Sequence, residues 1–397
     1  MDVARRTRLL ILQPTPFCNI DCGYCYLPAR NDRRRMAFET VEAAVRFVFE
    51  AELAAPDFTV VWHGGEPMVL PIDWFRKAFR AASRGAPGGV VLTHAIQTNG
   101  TLIDDDWCSF FRDAPVRVGV SLDGPAWLHD ARRRTRAGGG THARVMRGIE
   151  RLRRHGVSFH IICVVGEPAL DAADVLMDFF EAEDIRSLAF NIEEIEGVNR
   201  ASTLARAGVE ERFRRFFVRV LERAAGAPAP LIVREQQDLL ASLAHPAFGQ
   251  LSYNTTTEPF GFLTVSAEGD LYTFSPELAG LRDPHYGDFA LGRVGEAGAA
   301  EILRGERFRR LWADITEGVA ICRRSCAYFD LCLGGSPANK LAEHGHLARG
   351  ETLFCRLAHQ GVADAVLGDL ERRLQQNSDP AALSALVRDV KASASHG

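Results

Sequence analysis

Three thiols, Cys18, Cys22 and Cys25, fall within eight residues near the start of the chain, in the stretch Phe17-Cys-Asn-Ile-Asp-Cys-Gly-Tyr-Cys-Tyr26. Closely spaced cysteines on one loop suit a thiolate-ligated iron–sulfur core, because each sulfur can reach a different corner of one compact inorganic unit. The fourth corner has no local protein ligand. A cluster with one open iron can bind a small molecule there, much as catalytic zinc sites keep a position for water or substrate. A structural zinc ion would want a fourth nearby Cys or His, and the next histidine is His63. A second group, Cys322-x3-Cys326-x5-Cys332 followed by Cys355, offers four thiolates, enough for a zinc ion or for a fully ligated 4Fe-4S cluster. Cys108 and Cys163 stand alone and read as core thiols. Nine cysteines without a secretion signal argue against a disulfide framework.

The elements that must position these thiols follow from hydrophobic periodicity. Leu9–Leu12 reads as a short buried strand that delivers the cysteine loop at its C-terminal end. Strands at 58–62, 90–96, 116–120, 157–165 and 187–192 alternate with helices near 39–49, 73–83, 107–111, 141–155 and 172–182. Such alternation predicts a parallel sheet covered by helices. Six strands fall short of the eight in a closed barrel, so the expected fold is α/β, a partial (β/α)6 TIM-like barrel. Polar and glycine-rich segments follow the strands: His63-Gly-Gly-Glu-Pro67, Gln97-Thr-Asn-Gly100 and Ser121-Leu-Asp-Gly-Pro125. Strand-to-helix loops converge at that end of a parallel sheet, which is where active sites form.

Near Val209 the pattern changes. A helix over 210–225, a Gly226–Pro230 linker, a helix over 234–244, a β-hairpin turning at Ala267–Asp270 and a helix over 299–317 lead to the last cysteines. The expected domains are a barrel core (1–225), a helical bridging region (226–258), a cysteine-rich domain (259–360) and a helical tail (361–397). At 47% apolar and 25% charged residues the composition is that of a soluble globular protein. No apolar run approaches the roughly 18 residues of a membrane span, and the N-terminus leads straight into a strand, so a cytoplasmic protein is expected. A net charge of −4 gives no basis for a general nucleic-acid surface, and the arginines at 33–35 and 132–136 read first as solvated faces.

The spacing Cys18-x3-Cys22-x2-Cys25, with Tyr24 before the last thiol, resembles the defining motif of the radical S-adenosylmethionine (radical SAM) enzymes. The resemblance implies a 4Fe-4S cluster whose open iron is chelated by SAM, and cleavage of SAM to a 5′-deoxyadenosyl radical that abstracts hydrogen from the substrate. It assigns Gly64, Gly65 and Glu66 to the SAM amino group. The Q-T-N-G and S-x-D-G-P segments resemble the subgroup with a cysteine-rich C-terminal SPASM domain, which adds Thr98, Asn99, Ser121, Asp123 and Arg133 as SAM contacts. The C-terminal quartet then looks like the outer auxiliary cluster of that domain. A full SPASM domain has seven cysteines and two auxiliary clusters; here Thr273, Ser275 and Ser336 stand where further thiols are expected, so the expectation is one auxiliary 4Fe-4S cluster.

Further stretches sharpen the match: Ile11–Cys18, Val61–Pro67, Phe190-Asn-Ile-Glu-Glu-Ile-Glu-Gly197, Phe274-Ser-Pro-Glu277 and Gly334-Gly-Ser-Pro-Ala-Asn-Lys340. Together they resemble the cyclophane-forming SPASM peptide maturases of the GrrM/OscB type. The implied partners are a ribosomal precursor peptide and a flavodoxin- or ferredoxin-type electron donor. The implied reaction joins an aromatic ring carbon to the β-carbon of a residue two places on. Rearomatisation loses one proton and one electron, for which Glu193 or Glu194 and the auxiliary cluster are the expected acceptors. The rival readings are thioether formation, formylglycine-type oxidation, and a non-catalytic structural zinc protein.

Overall fold

The structure is a computed structural model that describes residues 7–376. Strands β1 (Thr7–Leu12), β2 (Ile20–Cys22), β3 (Ala54–Trp62), β4 (Thr93–Thr98), β5 (Val116–Ser121), β6 (Arg133–Thr135), β7 (Phe159–Val165) and β8 (Ser187–Ile192) belong to the first half. They are interleaved with helices α1 (Phe38–Glu50), α2 (Ile72–Gly85), α3 (Asp105–Asp113), α4 (Ala126–Arg132), α5 (His142–Arg154) and α6 (Ala173–Ala182). Then come α7 (Val209–Gly226), β9 (Ile232–Val233), α8 (Arg234–Ala244), β10 (Phe262–Val265), β11 (Asp270–Thr273) and β12 (Gly292–Arg293). Helices α9 (Ala299–Arg304), α10 (Glu306–Ser325), α11 (Phe329–Cys332), α12 (Pro337–His344) and α13 (Val362–Gln376) complete the described chain.

The six expected strands pair in parallel in the order β1-β3-β4-β5-β7-β8, an open barrel wall as the alternation predicts. Alternate residues of these strands, Leu10, Leu12, Val60, Trp62, Val118, Val120, Ile161, Cys163 and Val165, are buried in the core that also takes Val41, Ala44, Val45 and Val48 of α1. Cys163 in β7 and Cys108 in α3 are core thiols, as expected.

The sheet does not stop at the barrel. β10 lies parallel to the free edge of β1, pairing Leu9 with Phe262 and Leu12 with Val265, and β11 and β12 extend it to ten strands with β9 at the far edge. The hairpin expected in a separate cysteine-rich domain is therefore an extension of the barrel wall. Helix α13 packs against α7 and α8, so the start of the helical tail belongs to the barrel side; residues 377–397 of that expected tail lie outside the described residues.

Three local readings shift. β4 starts at Thr93 because Pro87–Val90 closes a turn that leaves Val91 84% exposed. The helix expected over 299–317 breaks at Gly305, whose extended backbone separates α9 from α10. The small β2–β6 ladder, three residues a strand, is too short to leave a periodic signal.

Candidate active site at the barrel mouth

The β2–β6 ladder places Cys22 opposite Arg133. Arg133 is buried; its Nε donates to Asp123 Oδ2 at 2.9 Å and its Nη1 lies 3.8 Å from Cys22 Sγ. Tyr24 donates to the same Asp123 oxygen at 2.5 Å, while Asp123 Oδ1 accepts from the Val164 backbone at 2.9 Å. The end of β5 thus holds Asp123, Tyr24 and Arg133 as one network behind the second cysteine. Asn99, at the end of β4, reaches Cys18: its Nδ2 lies 3.7 Å from Cys18 Sγ and donates to Asn19 at 2.8 Å. Ser121 accepts from Gln97 at 3.1 Å and stays half-buried on the barrel interior.

Glu66 takes a different part from the one expected of a SAM ligand. It is buried, and it accepts from Met68 N, Thr98 Oγ1 and Asn99 N at 2.7 to 3.0 Å. Its carboxyl fastens the end of β3 to the end of β4, and burial lifts its pKa to about 7 despite those donors. Gly64 and Gly65 have φ of 99° and 61°. A Cβ on Gly65 would stand 2.5 Å from the carbonyl oxygens of Thr15 and Phe17, so the room this glycine makes is filled by the cysteine loop's own backbone.

The two candidate proton acceptors separate. Glu193 is buried, pairs with Arg132 and accepts from the Thr203 backbone and hydroxyl, which occupies both its oxygens. Glu194 turns instead toward the C-terminal half and accepts from Asn339 Nδ2 of α12 at 2.7 Å. Sequence reasoning missed its neighbours. Glu196 shares a hydrogen bond with Glu194, and Glu277 lies close enough to raise both. Burial first, then repulsion from Glu277 and Glu343, pushes Glu194 to about 8 despite the Asn339 donor; burial and repulsion from Glu194 and Glu277 take Glu196 well above the carboxylate range, and burial takes Glu277 to about 7. Tyr26, beside Cys25, faces the same group and its hydroxyl meets His63 Nε2 at 3.0 Å. All of them sit in the sequence stretches quoted above, around residues 17–26, 61–67, 190–197, 274–277 and 334–340, which was the available signal.

The C-terminal quartet gathers where α10 ends. Cys322 lies in the last turn of α10, Cys326 caps that helix, Cys332 ends α11, and Cys355 opens a π-helical stretch over Cys355–Gly361. The charges of Cys322, Cys326, Cys332 and Cys355 act on one another, and Cys332 accepts from the backbone of Gly334 and Gly335. Gly335 has φ of 70°, and a Cβ there would come within 3.0 Å of Cys355 Sγ. Of the positions where further thiols were expected, Thr273 bonds the Phe260 and Phe262 backbone and Ser336 caps α12 through Asn339 N. Ser275 Oγ is buried with no hydrogen-bond partner.

Both thiol sets fit polynuclear iron–sulfur cores. Burial pushes Cys18 up to about 12, Cys22 to about 11 and Cys332 to about 11, so a metal's positive charge is needed to hold thiolates there. Four thiolates on one zinc at Zn–S of about 2.3 Å stand about 3.8 Å apart. Among the described residues the group of possible ligands drawn within 4.8 Å of one another is His285, Asp314 and His346; neither cysteine set is that tight. No helix among the described residues is long and apolar enough to cross a membrane.

Comparison with known proteins agrees with this geometry. The Radical SAM superfamily profile matches residues 12–179. The chain is 38% identical over 372 residues to the uncharacterized protein sll1766 of Synechocystis sp., covering 93% of each chain. It is 34% identical over 184 residues to the serine-type anaerobic sulfatase-maturating enzyme of Klebsiella aerogenes, 46% of this chain and 45% of that one. The structure of native anSMEcpe with bound AdoMet and Cp18Cys peptide superposes with a TM-score of 0.74 at 21% identity, covering 92% of this chain and 98% of that chain. The chain belongs to the radical SAM superfamily, the iron–sulfur enzymes that act with S-adenosylmethionine.

Proposed function

We propose that this enzyme crosslinks a ribosomally made precursor peptide, joining an aromatic ring carbon of one residue to the β-carbon of a residue two places on. The observation that carries the reading is the half-buried cluster of Glu194, Glu196 and Glu277, tied to the auxiliary region by the hydrogen bond from Asn339 to Glu194. Cys18, Cys22 and Cys25 would hold the SAM-binding 4Fe-4S cluster, and Cys322, Cys326, Cys332 and Cys355 one auxiliary 4Fe-4S cluster. Tyr24, Asp123 and Arg133 would frame the first cluster; Thr98, Asn99, Ser121 and the Gly64–Gly65 backbone would line the place of SAM, with Glu66 bracing them from behind. When bound, these groups supply a hydrogen-abstracting radical and a place for one electron.

The remaining work falls to side chains. Bond formation between an alkyl radical and a ring leaves the ring to lose one proton and one electron before it is aromatic again. Neighbouring half-buried carboxyls resist ionising together, and one that does ionise there is a stronger base than a free carboxylate. A base whose pKa lies near the working pH is the most effective general base. Glu194 is assigned this role, because Glu193 is committed to Arg132 and Thr203.

A second reading, formylglycine-type oxidation of a Ser or Cys, draws on the identity to the sulfatase-maturating enzyme of Klebsiella aerogenes. Its product carries an aldehyde and a crosslink does not. Treating the modified peptide with an aminooxy probe separates them: no label supports the crosslink, and stoichiometric label supports the oxidation. Glu194→Gln is expected to keep SAM cleavage while product formation falls on the order of a hundredfold; undiminished product would remove Glu194 from the reaction.

A further inference from the structure

Lysine is scarce in this chain: Lys77, Lys340 and Lys391 are its three lysines among 47 basic residues. Lys77 is exposed on α2, whereas Lys340, on α12, is 2% exposed. A buried ammonium ordinarily finds a carboxylate, since an unpaired charge in the interior is costly. Lys340 has none among the described residues. The acceptor within hydrogen-bond distance of its Nζ is Cys322 Sγ, at 3.4 Å. Helix α10 makes room for this contact with a glycine: a Cβ on Gly318 would press within 3.2 Å of Lys340 Nζ and 2.5 Å of the Leu347 carbonyl. An arginine fork is a poor substitute in so narrow a space, which accounts for a compact point charge in a chain that otherwise favours arginine.

We infer that Lys340 is the counter-charge that sets the reduction potential of the four-cysteine centre, making it a better electron acceptor than the same thiolates would be in an apolar pocket. The inference rests on reading that quartet as an auxiliary iron–sulfur cluster. Adding one electron to such a cluster adds one negative charge in a poorly solvated place, and a fixed cation beside a ligand sulfur favours the more negative form. N–H···S bonds to the ligands act in the same direction. The preceding residue on the same turn, Asn339, donates to Glu194. Two consecutive residues of α12 therefore hold the two ends of the final step: Asn339 orients the group that takes the proton, and Lys340 biases the centre that takes the electron.

The test uses the full chain with Cys18, Cys22 and Cys25 all changed to Ala, so that the auxiliary centre alone is seen by EPR during a redox titration. Lys340→Met and Lys340→Gln are expected to retain about four irons per chain while the midpoint potential moves to more negative values. An unchanged midpoint in iron-replete variants overturns the role of Lys340. A parent protein with zinc and no EPR-active cluster overturns the auxiliary-cluster reading instead. A third measurement does not depend on how the variants fold. In the parent protein labelled with 15N-lysine, the reduced centre should show a weak nitrogen coupling by pulsed EPR, and its absence would place no lysine at the cluster.

Discussion

Arg133 stands across the β2–β6 ladder from Cys22 and joins its sulfur, 3.8 Å away, to the carboxylate of Asp123, 2.9 Å away. Both charged groups are buried, so removing one leaves the other without its opposite charge. Arg133→Met is expected to cost about 3–5 kcal/mol of stability, and the double variant Asp123→Asn, Arg133→Met to cost less than Arg133→Met alone. Anaerobic denaturant titration of the three proteins checks the order.

Gly65 has a positive φ and lies against the backbone of the cysteine loop. Gly65→Ala should push that loop away and release the first cluster while leaving the second. Iron is expected to fall from about eight to about four per chain. Equal iron in variant and parent would mean that the loop tolerates the displacement.

The two cysteine sets should fail independently. Cys18→Ala is expected to abolish SAM cleavage and keep the auxiliary iron. Cys326→Ala should lose the auxiliary iron, keep SAM cleavage, and release little finished product. A colourless parent protein containing zinc and no acid-labile sulfide would contradict both expectations.

The carboxylate pocket makes stability depend on pH in a definite direction. Burial raises Glu277 from 4.5 to about 7 and Glu194 to about 8, so the folded chain holds protons that the unfolded chain has released. Their contribution is full below the unfolded pKa and declines as pH rises toward about 8, by a few kcal/mol at most. Glu277→Gln should flatten the slope between about pH 5 and 7 in denaturation series on the iron-free protein.

How far the sequence foretold this depended on the range of the interactions. The barrel strands were legible because parallel strands buried on one side repeat apolar residues locally, and β8 emerged with the expected bounds, 187–192. The thiol sets were legible from spacing. What stayed hidden needed partners far along the chain. Nothing near Glu66 announced that Thr98 and Asn99 would occupy its carboxyl, and nothing near Glu194 announced Asn339, 145 residues away. Glu193 and Glu194 look alike in sequence; just past the end of β8 one side chain goes to Arg132 and the next to α12. The edge pairing of β10 with β1, which fuses the hairpin to the barrel, likewise has no local signature.

The central claim, a peptide crosslink, is tested most directly by mass spectrometry. The anaerobically reconstituted enzyme is incubated with SAM, a reductant and the small peptide encoded beside its gene. The expected product has lost two hydrogens, gives no backbone fragments inside a three-residue segment that includes an aromatic residue, and does not react with an aminooxy probe. Peptide that remains unmodified while SAM is cleaved rapidly, or a product that fragments normally through every residue and takes up the probe, would contradict the account.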